Sequence, residues 1–223
     1  MIAVDGPAGS GKSSAARGVA RALGLRYLDT GAMYRALTWW LLSRQVDVTD
    51  PAAVLASFRK TSIEVGTDPA AAGISVHGED VAGPIRTREV SNAVSFVAAL
   101  PQVREQLIAQ QKAIIAAAAA SGAGIVAEGR DIGGVVAPDA DVKVFLTASE
   151  EVRARRRSAD LAADPAVTAE LTRQEQARRD GRDAPQMTRA AGATEIDTSD
   201  LNLDEVIAAI VGLVTHRGAV PRA

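Results

Sequence analysis

The sequence predicts an α/β protein built on a mostly parallel sheet with flanking helices and one inserted piece. Three observations carry that expectation. A glycine-rich phosphate-loop pattern follows a short apolar strand and opens a helix. Strand and helix signals then alternate in a way that favours parallel strands buried on both faces. A middle stretch of different texture, with apolar and polar residues alternating, interrupts that order.

The first strand is Ile2–Asp5, and Lys12–Leu23 follows as a helix that Gly24 can stop. Arg26–Asp29 reads as a second strand. Gly31–Ser43 reads as a helix with Trp39, Trp40, Leu41 and Leu42 mostly in the core. Ser62–Val65 and Gly73–His77 read as half-exposed strands on either side of an Asp68-Pro69 turn. Gly83-Pro84 opens a helix to about Ala99, and Pro101 begins another that runs through an alanine tract to Gly122. The parallel pattern returns with strands at Gly124–Ala127 and Val142–Leu146. Thr147-Ala-Ser-Glu150 matches a capping box ahead of an Arg-rich helix. Asp164-Pro165 breaks that helix, and a second one runs to about Arg179. Thr194–Asp197 is the last strand, and Asn202 with Glu205 caps a final helix burying Val206, Ile210 and Val214. The chain reads as a single domain with a core at about 1–60, 106–150 and 190–223, an insertion at about 61–105 and an Arg-rich helical region at about 151–189.

Composition bounds the function. The chain has 223 residues, 47% hydrophobic and 23% charged, an ordinary globular balance. A formal charge of -2 supplies no field that would draw it to a nucleic-acid polymer or an anionic membrane. Of its 25 basic residues only four are Lys, and Arg offers a planar fork suited to phosphate oxygens. The absence of Cys excludes disulfides and thiolate metal sites and fits a reducing compartment. His77 and His216 are far apart and read as surface or packing residues. Ile2-Ala3-Val4 is too short for a signal sequence, and Ala113–Ala127 is too short and small-sided to span a bilayer. A cytoplasmic protein, expected to be a monomer, is the consequent expectation.

The chemistry starts at Gly6-Pro7-Ala8-Gly9-Ser10-Gly11-Lys12-Ser13-Ser14. Glycines let backbone N–H groups wrap close to phosphates, and the helix N-terminus adds its partial positive charge. Lys12 is placed to reach β and γ oxygens of ATP, and the Ser13 hydroxyl to ligate Mg²⁺. Such loops serve kinases, switches and motors alike. Asp131-Ile-Gly-Gly134 formally fits a GTPase switch element, yet no Asn-Lys-x-Asp segment is present to read guanine. An ATPase or GTPase switch, and a kinase for another small acceptor such as UMP, stay open on the motif alone.

Further segments narrow the choice: Leu28-Asp-Thr-Gly-Ala-Met-Tyr-Arg35, Gly78-Glu-Asp-Val81, Ile85-Arg86, Ser91-Asn-Ala-Val-Ser95, Pro101-Gln-Val-Arg104 and Glu128-Gly-Arg-Asp-Ile-Gly133. In order and spacing they resemble the bacterial cytidylate kinase family, from Ile2 to about Asp183. The resemblance implies a nucleoside monophosphate kinase fold in which the insertion binds the monophosphate and the region at about 151–189 is a short Arg-rich lid. It implies ATP and Mg²⁺ as co-substrates and CMP or dCMP as acceptor. It implies Arg35 and Arg130 as clamps on the acceptor phosphate, Thr30, Arg104 and Asp131 as cytosine contacts, and Ser95, Arg179 and Asp183 as sugar contacts, with Tyr34 beside the monophosphate. Lys12, Arg35, Arg130 and Asp131 are the expected catalytic set. One or two of Arg153, Arg155, Arg156 and Arg157 are expected at the transferring phosphoryl group. Many family members carry a further Arg where this chain has Gln186, and Arg189 is the residue that could take its place.

Overall fold

The computed structural model describes residues 1–160 and 169–216; the expected break at Asp164-Pro165 lies outside them. Five strands form the main sheet: β1 (Ile2–Asp5), β2 (Arg26–Asp29), β6 (Ile125–Gly129), β7 (Val142–Thr147) and β8 (Thr194–Asp197). Their order is β2-β6-β1-β7-β8, and every pairing is parallel. The register sets Val4 and Asp29 opposite Glu128, and Asp5 opposite Gly129.

Alternation along β1 shows how the two faces are covered. Ile2 and Val4 pack with α1 (Lys12–Ala22) and α8 (Leu203–His216), through Ala16, Val19, Val206 and Ile210. Ala3 faces the opposite layer, where it meets α2 (Thr30–Ser43), α3 (Pro51–Phe58) and α5 (Pro101–Ala120) through Leu37, Val54 and Leu107. Both faces are thus apolar and both are buried, as parallel sheets require. Ile210 is fully buried against the sheet. Ile210→Ala is expected to cost about 3 kcal/mol of stability, read as a lower urea midpoint at unchanged slope. A loss below about 1 kcal/mol would place α8 outside the cooperative core.

A second, antiparallel sheet joins β3 (Ile63–Val65), β4 (Ile74–Val76) and β5 (Glu79–Asp80). β5 and α3 are additions to the sequence expectation. The signal for α3 was present: Asp50 accepts from the Ala52 and Ala53 N–H groups at 2.9 and 3.3 Å, with Pro51 at the first helical position. The single helix expected from Gly83-Pro84 is two elements. A 3₁₀ turn at Pro84–Arg86 ends at Thr87, whose extended backbone and hydroxyl, accepting from Val90 N–H, start α4 (Arg88–Ala98) afresh. The cap of α6 (Glu150–Asp160) is Ser149, which accepts from Val152 N–H, and not Thr147 as expected. Trp39, Trp40 and Leu42 are half-buried and only Leu41 is fully buried. Trp40 instead stacks on His77, ring centroids 4.5 Å apart, beneath the Arg44 guanidinium. The capping box of α8 is as expected: Asn202 and Glu205 exchange hydrogen bonds of 2.8 and 3.1 Å.

α6 packs on α7 (Ala169–Asp183), and α7 is docked on α4. Arg88 donates twice to Glu175, at 2.9 and 2.7 Å, Asn92 donates to the same oxygen at 3.0 Å, and Arg182 lies over the Phe96 ring. The Arg-rich helices are therefore held over the C-terminal ends of the strands, where ligands bind in open parallel sheets. No helix among the described residues is long and apolar enough to cross a membrane.

Candidate active site

A cavity of about 760 Å³ opens at those strand ends. One wall is the loop after β1. Gly9 has φ +79°, and a Cβ there would come within 2.9 Å of Arg153 backbone oxygen, so only glycine allows the lid helix to sit this close. Ala8 to Ser14 line the cavity, while Gly6 and Pro7 lie behind it. Lys12 begins α1, and its Nζ donates to Pro7 carbonyl at 3.2 Å. It is half-buried, less open than a loop lysine would be. Burial first, and then the Arg130 charge, lower its pKa, with Glu128 opposing.

The facing wall is cationic. Arg35, from α2, donates to Ser91 Oγ at 2.9 Å and to Ile85 carbonyl at 3.3 Å. Arg157, from α6, reaches the same Ser91 hydroxyl at 2.6 Å. Arg130, just past β6, donates to Gly6 carbonyl at 3.0 Å and to Met187 Sδ at 3.4 Å, and pairs with Asp183 at 2.8 Å. Arg179, from α7, lies 3.5 Å from the same Asp183 carboxylate. The pKa of Arg179 falls well below the usual guanidinium value, through burial and then the charges of Arg35 and Arg130. Burial and Arg157 lower Arg35 to about 10. These groups repel one another in a desolvated space, so an anion of two or more charges is the ligand that relieves them. Arg179, expected at a sugar, stands in this arginine cluster.

The lid arginines divide by helix face. Arg156 and Arg157 line the cavity. Arg153 is buried against Asp180, at 2.5 Å, and the Ala8 carbonyl, and Arg155 is exposed. Arg156 is tied to Thr198 through its hydroxyl and carbonyl, at 2.9 and 2.7 Å.

Thr30, Tyr34, Ser95, Arg104, Asp131 and Asp183 are not part of the cavity lining. Arg104, one turn into α5, pairs with Asp131. Both act on the Tyr34 hydroxyl, which burial pushes up to about 12. Thr30 Oγ1 donates to Glu128 carbonyl at 2.7 Å, and Ser95 Oγ donates to Asp183 Oδ1 at 2.8 Å. Arg189 pairs with Glu195 on the surface at 2.7 Å, both more than 45% exposed, so it does not fill the Gln186 position.

Two groups to which the motifs assign no role complete the site. Asp5 ends β1 and accepts from the Ile132 and Gly133 N–H groups at 2.7 and 2.8 Å, which anchors the π-turn Ile132–Val136 and with it Asp131. Burial raises its pKa. Glu128, 2% exposed, is the penultimate residue of β6, takes a hydrogen bond from Tyr27 at 3.0 Å and lines the cavity together with Ser13. Burial and then Asp29 raise its pKa, and Lys12 opposes. The available signal was an acid at the C-terminal end of a core strand beside the phosphate-loop strand, where an Asp serves in related loops.

The sequence pattern of the cytidylate kinase family matches residues 2–216. A cytidylate kinase of Streptomyces avermitilis is 50% identical over 220 residues, covering 98% of this chain and 94% of that protein. One of Streptomyces griseus is 51% identical over 215 residues, covering 96% and 92%. One of Geobacillus kaustophilus is 46% identical over 221 residues, covering 97% and 96%. A phosphate loop facing an arginine cluster, carried on a chain alike over nearly its whole length to these enzymes, makes the protein a member of the cytidylate kinase family.

Proposed function

We propose that the cavity joins two anionic substrates, so that the γ-phosphoryl group of ATP passes to CMP or dCMP, giving ADP and CDP or dCDP. The observation that carries this reading is the single cavity with Lys12 on one wall and Arg35, Arg130 and Arg179 on the other. A hydrolytic switch needs the first wall only. An oxygen of the acceptor phosphate attacks the γ-phosphorus, and the bond from that phosphorus to the ADP oxygen breaks as the new one forms. No general base is required, because that phosphate is mostly dianionic at neutral pH. Arg35, Arg130 and Arg179 hold the acceptor phosphate in line, and Lys12 with Arg157 neutralises the moving group. The donor base lies toward Arg156, Leu201, Asn202 and Leu203 at the far end of the cavity. Residues 61–105 close over the acceptor and helices α6 and α7 over the transferring group, which keeps water out.

A Mg²⁺ requirement fits the residues present. Ser13, Asp29 and Glu128 line the cavity together, an all-oxygen donor set of the kind a hard cation shares with substrate phosphates. When bound, Mg²⁺ supplies neutralisation of charge on the β and γ phosphates.

The reading is tested by ADP release with ATP and Mg²⁺ over CMP, dCMP, UMP, AMP and GMP. CMP and dCMP should lead, and equal release with no acceptor would replace it with a switch or ATPase.

Base choice follows from Asp131. A carboxylate accepts from the cytosine amine and repels the uracil carbonyl. Asp131→Asn should lower the CMP-to-UMP ratio of kcat/KM by at least about tenfold, one mispaired buried contact. Equal loss for both acceptors would mean that Asp131 serves Arg104 and the loop alone.

A further inference from the structure

Tyr27 has no part in the roles above, yet it is tied to one of them. It is fully buried on β2, in the layer packed by α1 and α8. Its hydroxyl donates across the sheet to Glu128 Oε1 at 3.0 Å, between residues 101 apart in sequence. The Arg17 guanidinium, from α1, lies over its ring 5.2 Å from the centroid. Glu128 in turn lines the cavity together with Ser13. The order is therefore Arg17, Tyr27, Glu128, Ser13, running from the core to the phosphate loop. Phenylalanine would fill the same volume with no polar atom to bury, so packing alone does not explain a phenol here.

We propose that Tyr27 is a positioning residue for the metal edge of the phosphate site: its hydroxyl holds the Glu128 carboxylate turned toward Ser13. The inference rests on the reading that Ser13 and Glu128 serve Mg²⁺. A phenol is protonated at neutral pH, so the hydroxyl is a donor. A carboxylate with one oxygen engaged from behind presents its other oxygen forward without searching rotamers. Outer-shell partners of this kind act on metal affinity while leaving the rest of the ligand site intact.

The test is Tyr27→Phe beside Glu128→Gln, with ATP affinity measured in EDTA and Mn²⁺ binding to the enzyme–ATP complex followed by electron paramagnetic resonance. Tyr27→Phe should bind ATP in EDTA as the parent protein does, bind Mn²⁺ about tenfold more weakly, and keep its KM for CMP. Excess Mg²⁺ should restore its kcat. Unaltered Mn²⁺ affinity, equal loss of ATP affinity with and without metal, or failure to fold would overturn the proposal, since the hydroxyl would then matter to nothing or only to the core. The control separates the two readings. If Glu128→Gln keeps parental Mn²⁺ affinity, the metal reading falls and the Tyr27 proposal with it. If Glu128→Gln loses Mn²⁺ while Tyr27→Phe does not, the Tyr27 proposal alone falls.

Discussion

Lys12→Ala is expected to lower turnover about a thousandfold while leaving the fold intact, because the charge it carries matters most when the γ-phosphoryl group is moving. The ammonium is half-buried, its pKa lowered by burial and by Arg130, and its hydrogen bond goes to a loop carbonyl, Pro7. A desolvated cation beside another cation contributes little to stability. Its removal should leave the urea midpoint unchanged or slightly higher, and Arg130 should relax rather than lose support. A variant that unfolds, or one that keeps near-parental kcat, contradicts the placement of Lys12 at the transferring group.

Arg130→Ala is expected to cost about 100-fold in kcat/KM for the acceptor, with the CMP KM raised and kcat lowered together, since a clamp that aligns a phosphate acts on binding and on the in-line geometry at once. The residue sits between the two walls. It pairs with Asp183, beside Arg179, and also donates to Gly6 carbonyl behind the phosphate loop. The Gly6 contact is one neutral hydrogen bond, so ATP affinity should change about threefold at most. Should ATP affinity fall as far as acceptor affinity, Arg130 belongs to the donor side through Gly6.

What the sequence made legible is what local pattern decides. The phosphate loop, the parallel strands and the antiparallel insertion follow from glycine spacing and from continuous against alternating apolar runs. Element boundaries moved where a single side chain captured a backbone donor: Thr87 split one expected helix, and Ser149 took a cap given to Thr147. Helix α3 carries its own local signal, an Asp50 cap followed by Pro51 at the first helical position. The site was legible where a motif named it and illegible where strand pairing made it. Glu128 and Tyr27 become neighbours only because β2 pairs with β6, and Asp5 meets the turn after Asp131 only because β1 lies beside β6. Spacing likewise could not divide the lid arginines, since their roles depend on how α6 is rotated against the loop. The surface pair with Glu195 removes Arg189 from the site in a way no local pattern forecasts.

The central claim is that one cavity transfers a phosphoryl group between two anions rather than to water. The most direct measurement follows the label of γ-phosphorus-labelled ATP in a single reaction with CMP and Mg²⁺. The account predicts that the label leaves ATP only when CMP is present and appears in CDP. Label appearing as inorganic phosphate at the same rate with and without CMP would contradict it.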